Sequence, residues 1–89
     1  MLFLLTNRTR SDLGAAQFGE LAALAKTFYA SIPAGVRIRG EWAAVDRSAN
    51  YSLLEAPDID TARRIQAPFA RYTETVIVEM TAISGWIAS

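Results

Sequence analysis

Three carboxylates in strand-like segments, Glu41, Glu55 and Glu79, are the groups best suited by type to move a proton. A glutamate removed from water has its pKa raised from about 4.3, which poises it as a general base. Arg37 and Arg39 lie beside Glu41 in the run Val36-Arg37-Ile38-Arg39-Gly40-Glu41-Trp42 and can hold an anionic group. Tyr51 can donate a hydrogen bond to a ligand oxygen. Trp42 can wall a pocket and donate from its indole N–H. The same charges have a second reading, in which Arg37 or Arg39 pairs with Glu41 or Glu55 across a hairpin and no ligand is involved. Trp42 and Tyr51 equally suit a packed core or interface. Asn7, Arg8 and Arg10 form a smaller polar group, either an anion site near a helix start or a solvated loop.

The missing residue types exclude much chemistry. The 89 residues contain no His and no Cys. Ser-His-Asp triads, cysteine nucleophiles, zinc fingers and His-ligated metals or haems are therefore excluded. No motif points to a metal or to any other cofactor, and none is assigned. Nine basic residues balance nine acidic ones. The chain thus has no global electrostatic drive toward nucleic acid or anionic membrane. An RNA-binding sheet of this size would need stacking aromatics on its central strands, and only Phe3 and Tyr51 are offered. No stretch reaches the roughly 18–20 apolar residues of a membrane span. The start, Met1 to Thr6, lacks the basic flank of a signal peptide. The expectation is a cytoplasmic protein. Its length and 52% apolar content predict a single domain over 1–89 rather than a disordered chain.

The elements that must position these groups follow from periodicity. Residues 2–6 are apolar and read as a strand, closed by the polar run Asn7 to Asp12. Thr9, Ser11 or Asp12 is a candidate helix cap. Phe18, Leu21, Ala22, Ala25, Phe28, Tyr29 and Ile32 recur at helical spacing, predicting a helix over 12–31 that Pro33 and Gly35 stop. Residues 36–45 alternate as a strand, with Val36, Ile38 and Trp42 facing the helices and Arg37, Arg39 and Glu41 opposite. Turn residues 46–50 lead into a strand over 51–56. A second helix opens at Pro57-Asp58-Ile59-Asp60, carries Ile59, Ala62 and Ile65 inward, and ends near Ala67 before Pro68. Residues 73–83 form the last strand, followed by a tail with Gly85 and Trp86 that can dock on a partner or fray.

The order β-α-β-β-α-β predicts an α+β, ferredoxin-like fold, with two helices on one face of a four-stranded antiparallel sheet. The other face carries excess apolar surface. Parity places Phe3, Leu5, Leu53, Ile77 and Tyr51 there, together with the charges of Arg37, Arg39, Glu41, Glu55 and Glu79. Burying one such apolar side chain is worth about 1.5–3 kcal/mol, and monomers rarely expose such a patch. A second copy of the sheet is the simplest cover, predicting a homodimer or higher homo-oligomer.

The segments Gly35 to Trp42, Tyr51 to Ala56, Asp58-Ile59-Asp60 and Glu79-Met80-Thr81 resemble the dimeric α/β-barrel superfamily. Within it the chain resembles the small DUF3303 domains and, more distantly, GYD-domain proteins. The resemblance implies two sheets packed as a barrel-like dimer, with a small-molecule pocket inside the barrel or between sheet and helices. The superfamily includes cofactor-free monooxygenases, cyclases, lactone isomerases and ligand-sensing domains, so it implies fold more firmly than function. Three functions remain open. The first is a homo-oligomer binding an apolar or aromatic small molecule in a cavity at the sheet face. The second is a cofactor-free enzyme of isomerase, cyclase or monooxygenase type, with Glu41, Glu55 or Glu79 as base. The third is a purely structural subunit.

Overall fold

The computed structural model describes residues 1–84. It contains β1 (Leu2–Thr9), α1 (Ala15–Ala30), β2 (Arg37–Ala43), β3 (Asn50–Glu55), α2 (Ile59–Gln66), a short 3-10 turn (Ala67–Phe69) and β4 (Thr73–Met80). The strands form one antiparallel sheet in the order β2-β3-β1-β4. This is the ferredoxin-like arrangement, with β1 and β3 at the centre. Gly85 and Trp86 lie outside the described residues.

The ends of β1 and β4 differ from the sequence expectation, and pairing explains both. β1 continues through the polar residues Asn7, Arg8 and Thr9 because Thr75, Glu74 and Thr73 of β4 supply their partners. β4 stops at Met80, opposite Leu2, where β1 begins and no further backbone is available to pair. The first helix starts at Ala15 rather than near Ser11. Gly14 caps it in an extended conformation, and its N–H donates to Gln17 Oε1 at 2.8 Å. Asp58 caps α2 by accepting from both the N–H and the hydroxyl of Thr61, each at 2.7 Å.

The core lies between the sheet and α2. Phe3 and Ala62 are fully buried, and Leu5, Val36, Leu54 and Ala56 are nearly so. The alanine at 62 brings the α2 backbone close to the sheet. The long helix α1 contributes no buried residue. Its inner residues Leu21, Leu24, Ala25 and Phe28 are only partly covered, Phe18 and Tyr29 are 51% and 50% exposed, and Ile32 just past its end is 40% exposed. It therefore stands off from the sheet instead of sealing it.

The face assignments require correction. Phe3, Leu5 and Ile77 point toward the helices, not away from them. The open face carries Leu2, Leu4, Tyr51, Leu53, Val76, Val78 and Met80, as the strand register dictates. β2 changes parity at a bulge between Ile38 and Gly40. Beyond it Glu41 pairs with Ser52 on the helix side, while Trp42 pairs with Tyr51 on the open side. This reverses the side expected for both Glu41 and Trp42. Trp42 lies over Gly40, where an added Cβ would sit 2.6 Å from the indole Cη2. A glycine there leaves room for the ring.

Candidate functional site

The gap between α1 and the sheet is a cavity of about 470 Å³, within the range of small-molecule sites. Leu5, Ile38 and Leu54 form its floor, and Phe28, Ile65 and Phe69 come from the helical layer. Phe28 meets Tyr29 and Phe69 edge to face, with ring centroids 5.5 and 6.2 Å apart. These contacts make one aromatic wall.

A polar belt crosses the helix side of the sheet along one edge of the cavity. Glu41 Oε2 accepts from the Tyr29 hydroxyl on α1 and, at 3.5 Å, from Ser52 Oγ on β3. Farther along, Asn7 Nδ2 donates to Asn50 Oδ1 at 2.8 Å, and Thr75 Oγ1 donates to Asn7 Oδ1 at 2.8 Å. Thr73 shares a hydroxyl contact with Thr75 at 3.2 Å and donates to the Phe69 carbonyl at 3.2 Å. Partial burial pushes the Tyr29 hydroxyl up to about 12, and the hydrogen bond to the Glu41 carboxylate and its charge add to this. The phenol therefore stays protonated and donates. Glu41 is the single acidic or basic side chain among the cavity-lining residues.

Of the expected site residues, the structure brings Glu41, Trp42 and Tyr51 to the cavity and leaves Arg37, Arg39, Glu55 and Glu79 outside it. Glu41 alone of the three carboxylates reaches the cavity. Glu55 is on the open face and is held by Arg39 at 2.6 Å. Glu79, expected on the open face, instead shares the helix side with its register partner Phe3, but lies exposed on edge strand β4 away from the cavity lining. Arg37 pairs in register with Glu55 and is exposed. Tyr51 and Trp42 border the cavity by position, but register turns their side chains to the open face, where Trp42 is 58% exposed. Arg10 is committed to the fold: its guanidinium donates twice to the Ala70 carbonyl, at 3.0 and 3.1 Å, and meets Glu74 at 3.4 Å.

Sequence reasoning missed Tyr29, Ser52 and Asn50 as cavity residues. A signal was present for two of them. Asn50 and Ser52 share parity with the buried Leu54, so they were placed to face the helices. Among the described residues, no group of three or more His, Cys, Asp or Glu could hold a metal ion. No described helix is long and apolar enough to cross a membrane.

A four-stranded antiparallel sheet with helices on one side and a helix–sheet cavity defines a ferredoxin-like α+β domain with a candidate ligand site. The chain belongs to the family described as Domain of unknown function (DUF3303), whose profile matches residues 1–86. Among solved structures it is similar to a muconolactone isomerase, at 20% identity and a TM-score of 0.65, over 92% of this chain and 90% of that one. It is also similar to an uncharacterized NIPSNAP domain protein from Burkholderia xenovorans, at 14% identity and a TM-score of 0.44, over 92% of this chain and 96% of the other. No curated protein matches.

Proposed function

We propose that residues 1–89 act as one domain that pairs into a homodimer through its open sheet face and binds an apolar or aromatic small molecule. The ligand site is the cavity between sheet and helices, not the Arg- and Glu-bearing open face expected from parity. The observation that carries this reading is the roughly 470 Å³ space under α1, with an apolar floor and an aromatic wall. An 89-residue chain gains stability by closing such a gap, so leaving it open suits a site. Dimerisation is supported by Val76, Val78 and Met80, which are 61%, 46% and 38% exposed on one contiguous apolar face.

Calorimetric titration with naphthylethanol tests the ligand site. Saturable binding is expected, and it should be lost when Ala25→Trp fills the cavity from α1. Binding that survives Ala25→Trp would place the ligand elsewhere.

A second reading is favoured by the Tyr29–Glu41–Ser52 cluster. A carboxylate held by two hydroxyl donors at the edge of an apolar cavity is the geometry of a fixed general base. The chain would then be a cofactor-free enzyme of isomerase, cyclase or monooxygenase type, with Glu41 taking a proton from the bound substrate. The isomerase among its structural neighbours is 20% identical, which bears on fold alone. Under this reading Glu41→Gln removes turnover and leaves the affinity for a neutral ligand within about twofold.

A further inference from the structure

We infer that the cavity prefers ligands that carry a cationic or strongly donating nitrogen beside their aromatic body, and discriminates against carboxylates. The inference rests on the cavity being the ligand site and names the ligand class it takes.

The lining holds one formal charge, the Glu41 carboxylate. Among the described residues no basic group lies within ion-pair distance of it; the ion pairs present are Arg10–Glu74, Arg39–Glu55 and Arg63–Asp60. Both protein donors, Tyr29 and Ser52, reach the same oxygen, Oε2. Oε1 accepts no side-chain hydrogen bond among the described residues, although a carboxylate has acceptor sites on both oxygens. A ligand N–H donated to Oε1 completes the set and neutralises the charge.

The rest of the cavity fits that choice. The rings of Phe28, Tyr29 and Phe69 form an edge-to-face series whose Tyr29 end meets the carboxylate. Aromatic faces attract cations as well as other rings. The arginines that would have drawn an anion are on the far side of the sheet, where Arg39 is already paired with Glu55. An anionic ligand would meet the Glu41 charge with no cation in the lining to offset it.

The test uses three matched probes at neutral pH: naphthylethylamine, which is protonated, naphthylethanol, which is neutral, and naphthylacetate, which is anionic. Each is titrated calorimetrically into the full chain, its Glu41→Gln variant, and Asp12→Asn as a charge-matched control in an exposed loop. The expected order is amine, then alcohol, then carboxylate, with the amine about fivefold tighter than the alcohol. In Glu41→Gln the amine and alcohol should bind within about twofold of each other. Asp12→Asn should keep the original order. Alcohol binding without an amine advantage overturns this inference and leaves the cavity as the ligand site. The same amine advantage in Glu41→Gln also overturns it, because the carboxylate would then not be its source. Binding of none of the three probes overturns both the inference and the cavity reading.

Discussion

Replacing Val78 with aspartate places a carboxylate on the open sheet face, midway along the edge strand β4. Val78 lies opposite Leu4 and is 46% exposed in the single chain. About half of its surface is therefore still available for burial, worth roughly 1 kcal/mol per copy on the scale of 1.5–3 for complete burial. Two-fold symmetry counts that loss twice. The new carboxylate adds a larger cost, because an unpaired charge taken from water into an apolar contact loses about several kcal/mol. The combined effect is roughly 5 kcal/mol or more against the dimer, which weakens association by nearly four orders of magnitude or more. Val78 points away from the Phe3 and Leu54 core, so folding should lose only the modest strand preference of valine over aspartate, about 1 kcal/mol. Sedimentation velocity at micromolar concentration, with circular dichroism to follow the fold, reads both effects. The unsubstituted chain should sediment at twice its 9.7 kDa mass and the Val78→Asp chain as a folded monomer. A Val78→Asp dimer as tight as the parent would refute the assignment of this face, and a monomeric parent would refute the dimer itself.

Other perturbations probe the core, the cavity edge and the helix cap. Phe3 is fully buried, so Phe3→Ala should cost about 3–5 kcal/mol, a large share of the roughly 4–13 expected for this length, and thermal melting should show it directly. The Tyr29 phenol keeps its proton to about 12 in the folded chain, above the ordinary value of 10.0. The stability it contributes is thus present below about pH 10 and lost as pH rises toward 12. Absorbance titration should show a late-ionising phenol that is absent in Tyr29→Phe and titrates earlier in Glu41→Gln. Hydrogen bonds from the Thr61 hydroxyl and N–H hold the Asp58 carboxyl below its usual range. Its stabilising effect is present above about pH 4 and is lost as pH falls through the lowered value. Asp58→Ala should therefore melt earlier at neutral pH, and the gap to the parent should close in acid.

Element order and fold class were legible because turns and periodicity are local. Pro33 with Gly35, the Asp46 to Asn50 turn, and Pro57 with Asp58 separate the segments, and each segment holds its own apolar pattern. Which face each strand buries was less legible. Leu2, Phe3, Leu4 and Leu5 are apolar on both sides, so only the register with Leu54 and Ile77 settles that Phe3 and Leu5 face the helices. The bulge at Arg39 is a single extra residue with no strong sequence mark beyond the following glycine. It turns Glu41 to the helix side of the sheet and Trp42 to the open side, where it only borders the cavity. The candidate site was accordingly legible at Glu41 and at the bordering Trp42 and Tyr51, but not in the side of the sheet to which Glu41 and Trp42 turn. Glu55 and Arg39 followed the other reading, as partners of each other. Tyr29 was read as part of a packed stripe, and it became a cavity residue because α1 stands off the sheet, a spacing that helical periodicity does not encode.

The central claim is that the space between α1 and the sheet is the ligand site. Methyl NMR during titration with naphthylethanol tests it most directly. Saturable shifts are predicted at Leu5, Ile38, Leu54 and Ile65, which line the cavity, with Leu4, Leu53 and Val78 on the opposite face unmoved. Shifts confined to Leu4, Leu53 and Val78, or no saturable shift at any of these methyls, would contradict it.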